Sequence, residues 1–244
     1  MAEQKEGIVV KTKPDVIGEI GGVPVTNTFL GSILWGAVLI VLLVTASRKL
    51  KLVPGKSQLA FESIIQGIYN YVADTLDNDK VTKWAFPLIL SLFLVILFFN
   101  LVKFIPGTES IFFNEYQLFK PIHKDLNMTL ALSVTAVIFV QIIGIMSLGF
   151  WKYWSKFINF KKPWNIPIGL LELISESAKM VSLAFRLFGN MLIGGILLLL
   201  AGQVSHYLLP VPVLLFEVFV AILQAGIFSV LVLMYIKLAT EEPH

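Results

Sequence analysis

The chain has 244 residues, of which 57% are hydrophobic and only 14% charged, with a formal net charge of +3. A soluble domain carries about 25% charged residues, so this balance excludes an ordinary soluble domain and predicts an all-α integral membrane protein. Cysteine is absent, which excludes disulfides, thiolate metal sites and cysteine catalysis, and the three scattered histidines (His123, His206, His244) argue against a histidine metal cluster.

Residues 1–25 mix charge with glycine and lack the basic-then-apolar layout of a signal peptide. They are expected to form an extracytoplasmic tail ahead of a single membrane domain over 26–244. The first spanning helix is predicted over 26–46, ending at Arg48-Lys49-Leu50-Lys51. After the turn signal Val53-Pro54-Gly55, residues 57–78 place Phe61, Ile64, Ile65, Ile68, Val72 and Leu76 at helical spacing. Glu62, Gln66, Asn70 and Asp74 form a separate polar row, so this is an amphipathic surface helix, with Ser57 as its expected N-cap. A second span is predicted over 84–105 and stops at Pro106-Gly107; residues 108–126 read as an exposed connection. The third span, 126–150, runs into WKYWSKFINFKKPW (151–164). Aromatics interleaved with lysines directly after a span indicate an interfacial anchor rather than nucleic-acid binding.

A long helical pattern follows from Pro167 to about Gln203, and the last from 211 to 238 after Pro210. Thirty-seven residues make a helix of about 55 Å against a bilayer core of ~30 Å. The long helix of this tilted pair is therefore expected to tilt steeply, to bend at Gly189, Gly194 or Gly195, or to extend beyond the core. Five membrane helices put the termini on opposite sides. Arg48, Lys49, Lys51, Lys56, Lys80, Lys83, Lys152, Lys156, Lys161, Lys162 and Lys237 outnumber the basic residues of the other side, so the C-terminus is expected in the cytoplasm and the N-terminus outside.

The long helix gathers its polar residues. Stepping 100° per residue from Glu172, the positions Glu176, Lys179, Leu183, Arg186 and Asn190 return to within about 40°. Glu172, Glu176 and Lys179 are spaced to pair with one another near the cytoplasmic end. Arg186 lies about 10 Å deeper than Lys179 along the axis, cannot lose its proton, and has no carboxylate within one turn. A charge at that depth costs ~3 to over 10 kcal/mol unless it is paired or watered. Folding the last two helices antiparallel about a turn near His206 brings Gln224 to the level of Arg186 and sets Glu217 against Gly194-Gly195, about 13 Å away along the axis. Arg186 is thus expected to lack a close acidic partner in its own chain and to serve a transient one. Glu217 reads either as a proton relay or as a neutral, hydrogen-bonded carboxyl. It shares a stripe with Ala221, Gln224 and Tyr235. Asn100 and Gln141 are further deep polar groups, suited to interhelical hydrogen bonds or to lining an access path.

At SLAFRLFGNM (182–191) the chain resembles subunit a of the rotary F-type ATP synthases. The resemblance takes in LLELISESAKMVSLAFRLFGNM, the LQAGIF stretch around Gln224, Asn100-Leu101 ahead of a proline and the five-helix plan, and covers most of residues 30–240. It implies a stator half-channel in a bacterial inner or organellar energy-coupling membrane, working against a ring of c subunits, held by peripheral-stalk b subunits, with no catalytic centre or cofactor of its own. Arg186 would then face a c-subunit carboxylate, with Asn190 and Gln224 close by. Many members carry a carboxylate where this chain has Gly195 and a histidine where it has Glu217, so the proton-handling group would have crossed to the last helix. Lys103 replaces an acidic residue often found near the end of the second span. Two other readings stay open from the residues alone: a secondary transporter binding an anionic substrate at Arg186, and a non-conducting membrane scaffold.

Overall fold

The computed structural model describes residues 16–20, 23–51, 53–105, 112–113, 116–117, 125–154, 165–205 and 208–241. Seven helices dominate: α1 Asn27–Arg48, α2 Lys56–Leu76, α3 Asp79–Val102, α4 Leu126–Leu148, α5 Phe150–Trp154, α6 Asn165–Val204 and α7 Pro210–Thr240. Among the described residues, α1, α3, α4, α6 and α7 are long and apolar enough to cross a membrane. The protein is an all-α integral membrane protein with these five spans and the amphipathic α2.

Two small antiparallel hairpins accompany them, neither expected from the sequence. Strands β1 (Val16–Ile20) and β2 (Val23–Thr26) lead into α1, and the two-residue pairs β3 (Phe112–Phe113) and β4 (Tyr116–Gln117) lie in the connection before α4. The rest of that connection, the first 15 residues, the lysines Lys156, Lys161 and Lys162 of the anchor segment, and the turn residue His206 lie outside the described residues.

Local caps set the helix ends. Thr26 caps α1, its hydroxyl accepting from the amide of Phe29 at 3.3 Å. Ser57 does not cap α2. The cap is Gly55, which offers no side chain, and the helix begins at Lys56. It ends at Asp77 in the left-handed region (φ 48°), and the next residue, Asn78, caps α3 by accepting from Lys80 and Val81. That cap starts α3 at Asp79 rather than near Trp84. Asp125 caps α4 and also accepts from the hydroxyl of Thr28 at 2.7 Å, tying the first turn of α1 to that of α4.

The core lies where α3, α4, α6 and α7 meet, with Ile96, Val140, Leu183, Leu187, Phe228, Val232, Leu233 and Ile236 almost wholly buried. Helix α2 lays Val72 against this core and stacks Tyr69 edge-on to Phe86, with ring centroids 5.1 Å apart. Its polar row stays outside, where Gln66 donates to Asn70 at 2.8 Å. Helix α1 touches the rest lightly, through contacts such as Trp35 on Phe98, and exposes Ile33, Ile40, Val41 and Leu42. Apolar side chains exposed on a spanning helix face lipid at no hydrophobic cost. Helix α6 is continuous through Gly189, Gly194 and Gly195. Its 40 residues measure about 60 Å, twice the bilayer core, so by length an unbroken α6 must tilt or extend beyond the core.

Candidate functional site

Helices α6 and α7 run antiparallel, and their polar residues meet at three levels. At one end, Glu217 of α7 lies directly against Gly194 of α6. A Cβ on Gly194 would sit 2.6 Å from Glu217 Oε1 and 3.1 Å from its Cδ. Only a residue without a side chain admits the carboxyl here. Glu217 is 7% exposed, and its Oε2 pairs with the ammonium of Lys103 at 2.9 Å, itself 12% exposed. Lys103 follows the last residue of α3, near the end of the predicted second span, where the sequence counts it among the basic residues of the outer side. Instead its stem turns inward beside Asn100, which donates to the backbone carbonyl of Ala221 at 3.5 Å. Asn100 and Lys103 are three residues apart on a helical face, the one signal in the sequence that pointed to this pairing.

A cavity of about 60 Å³ adjoins the pair. Asn100, Lys103, Asn190, Gly194, Glu217 and Gln224 bring polar groups or open space to its wall. That is room for several waters, since one needs roughly 10–15 Å³ by the same measure. Two atoms on this wall, Glu217 Oε1 and Gln224 Nε2, are buried and hydrogen-bond to no described residue. One is an acceptor and the other a donor, so water in the cavity can satisfy both. Gly194→Ala is expected to push the carboxyl off Lys103 and to cost about 1–3 kcal/mol in strain. Thermal unfolding of the detergent-solubilised protein measures it; an unchanged melt would mean that Glu217 has room to spare.

At the middle level, Asn190 Nδ2 donates to Gln224 Oε1 at 3.4 Å. Leu187 lines the same cavity, but its neighbour Arg186 points away. Arg186 is exposed on the outer face of α6, beside the exposed Phe185, whereas Leu183 and Leu187 are fully buried. The stripe read from the helical wheel therefore straddles the border of the chain rather than facing one environment. Among the described residues no carboxylate forms an ion pair with Arg186. A guanidinium cannot be neutralised, so at membrane depth it calls for a counter-charge or water, and among the described residues no carboxylate supplies the former.

At the third level, two of the three residues spaced to pair come together. Lys179 pairs with Glu176 Oε1 at 2.6 Å, and Gln141 of α4 donates to Glu176 Oε2 at 2.7 Å. The side chains of Lys179 and Glu176 are only 18% and 13% exposed, and the ammonium lies 5.1 Å from the centroid of the Tyr235 ring on α7. Glu172 stays half-buried and forms no hydrogen bond or ion pair with a described residue. Tyr153 of α5, which sequence reasoning missed, donates its hydroxyl to Gln141 Oε1.

Comparison with known proteins finds relatives over most of the chain. Residues 29–237 match the family described as ATP synthase A chain. The chain is 35% identical over 209 residues to the ATP synthase subunit a of Geotalea daltonii, covering 85% of each chain. It is 31% identical over 224 residues to that of Moorella thermoacetica, covering 92% of this chain and 95% of the relative. It is also 31% identical over 212 residues to that of Campylobacter jejuni strain RM1221, covering 85% and 88%. The chain belongs to the ATP synthase A chain family.

Proposed function

We propose that this member of the family is the stator half-channel of a rotary ATP synthase, passing protons to and from carboxylates on a turning ring of c subunits. The observation that carries the reading is the pairing of two features: Arg186 exposed on the outer face of α6, and behind it a cavity to whose wall Asn100, Lys103, Asn190, Glu217 and Gln224 bring polar groups.

Protons arrive from outside at the Lys103–Glu217 pair. Oε1 of Glu217 faces the cavity and accepts a proton, which water hands on past Asn190 and Gln224 to a ring carboxylate. Once neutral, that carboxyl can turn through lipid at little electrostatic cost. On its return it meets Arg186, whose fixed charge favours the ionised form and so expels the proton. The released proton leaves along α6 towards Glu172. Arg186 also separates the two paths, because a cation repels a proton attempting the direct route. Basic residues clustered at the cytoplasmic helix ends support an outer N-terminus and an inner C-terminus. The b subunits of the stalk are the further partners in this reading, and a bacterial inner membrane is the setting it fits best.

Glu217→Gln tests it. The amide oxygen still accepts from Lys103 but cannot take up and release a proton. Proton flux through the assembled membrane sector in vesicles, normalised to the amount of complex on a native gel, is expected to fall by about a hundredfold. Unchanged flux would make Glu217 a packing residue.

A further inference from the structure

Helix α5 exposes Phe150, Trp151 and Trp154, yet Tyr153 on the same short helix is only 4% exposed. Two glycines place it there. Gly149 ends α4 at φ 84°, a conformation that L side chains rarely adopt, and turns the chain back on itself. Gly144 provides the seat: a Cβ at that position would lie 2.6 Å from Tyr153 Cε2. The phenol then reaches Oε1 of Gln141. Fixing the oxygen end of an amide fixes its nitrogen end, and Gln141 Nε2 is thereby aimed at Glu176 Oε2, 2.7 Å away. Lys179 occupies the other oxygen at 2.6 Å. Burial first, then the charges of Glu176 and Glu172, push the phenol above the usual tyrosine range, so it remains a donor.

We propose that Tyr153 is a positioning residue of the proton outlet: it holds Gln141 against Glu176, so that both oxygens of this carboxylate stay occupied and the departing proton passes to Glu172. The proposal rests on the reading of α6 as the outlet wall. Glu176 can take up a proton only by giving up a bond to Gln141 or Lys179. Without the phenol, Gln141 is free to turn, and Glu176 becomes a second acceptor that intercepts protons short of the outlet.

The test is Tyr153→Phe in the assembled complex, with passive proton flux measured in vesicles. Flux is expected to fall about fivefold, the worth in rate of one hydrogen bond, at an unchanged amount of complex. Adding Glu176→Gln to this variant is expected to restore the flux, because the intercepting carboxylate is gone. A merely structural role for the phenol predicts no such rescue. Gln141→Leu breaks the same connection without disturbing the tyrosine's seat, and it is expected to slow flux and to be relieved by Glu176→Gln in the same way. Wild-type flux in Tyr153→Phe, or a double variant as slow as the single one, overturns the proposal. ATP-driven pumping by Arg186→Ala vesicles, run in parallel, separates the two levels. Pumping by that variant would bring down the half-channel reading and the proposal together. Loss of pumping there, with Tyr153→Phe unaffected, would remove only the role of the phenol.

Discussion

Replacing Arg186 by alanine is expected to abolish both ATP-driven proton pumping and proton-driven ATP synthesis, while the assembled complex survives. Assembly should survive because Arg186 holds nothing together inside its own chain. It is exposed, and among the described residues it has no ion-pair partner, so truncation leaves no buried carboxylate stranded. Function should fail for two reasons. Alanine offers a ring carboxyl no incentive to ionise, so protons are not released. It also removes the fixed cation that, in the proposed reading, stands between the inlet and the outlet. A proton crossing directly then dissipates ~2.3 kcal/mol per 100 mV without turning the ring. Passive proton leakage through the membrane sector should therefore rise even as coupled synthesis is lost. Dye-quench and ATP-synthesis assays on the same vesicles measure the two together. Full coupled synthesis by Arg186→Ala would remove Arg186 from the mechanism.

What the sequence disclosed here was whatever depends on length and period. Five apolar stretches of spanning length and one amphipathic stretch need only a count and a wheel, and the α6–α7 register follows from placing their turn near His206. That register puts Glu217 against the Gly194-Gly195 pair, and the coordinates place it on Gly194. Hidden from such reasoning were contacts made by residues just past helix ends, where period gives no direction. Lys103 follows Val102, the last residue of α3, and counted only as a basic residue at the outer end of the second span until its inward turn was seen. Tyr153 belongs to a segment that reads as an interfacial anchor. Only the positive φ of Gly149 reveals that one of its aromatics is folded back into the core. The wheel also grouped Leu183 with Arg186, although one is in the core and the other on the rim. A shared angular sector about 80° wide is too coarse to separate the edge of a helix face from its centre.

The Lys103–Glu217 pair carries the second large effect, and it can be split into a structural and a conducting part. Lys103→Met keeps much of the lysine's apolar stem but leaves Glu217 as an uncompensated charge, 7% exposed, with Gly194 behind it. Breaking a buried pair from one side costs about 3–5 kcal/mol. The single variant is therefore expected to lower the thermal stability of the complex and the amount of this chain retained in it. Lys103→Met combined with Glu217→Gln removes both charges, and a neutral pair of similar volume is often as stable as the ion pair it replaces. Stability should return in the double variant. Proton flux should not, because neither methionine nor glutamine can take up a proton from the cavity side. A single variant as stable as the parent would mean that water already screens the pair. A double variant that conducted at the parental rate would mean that protons reach Gln224 by a route bypassing both residues.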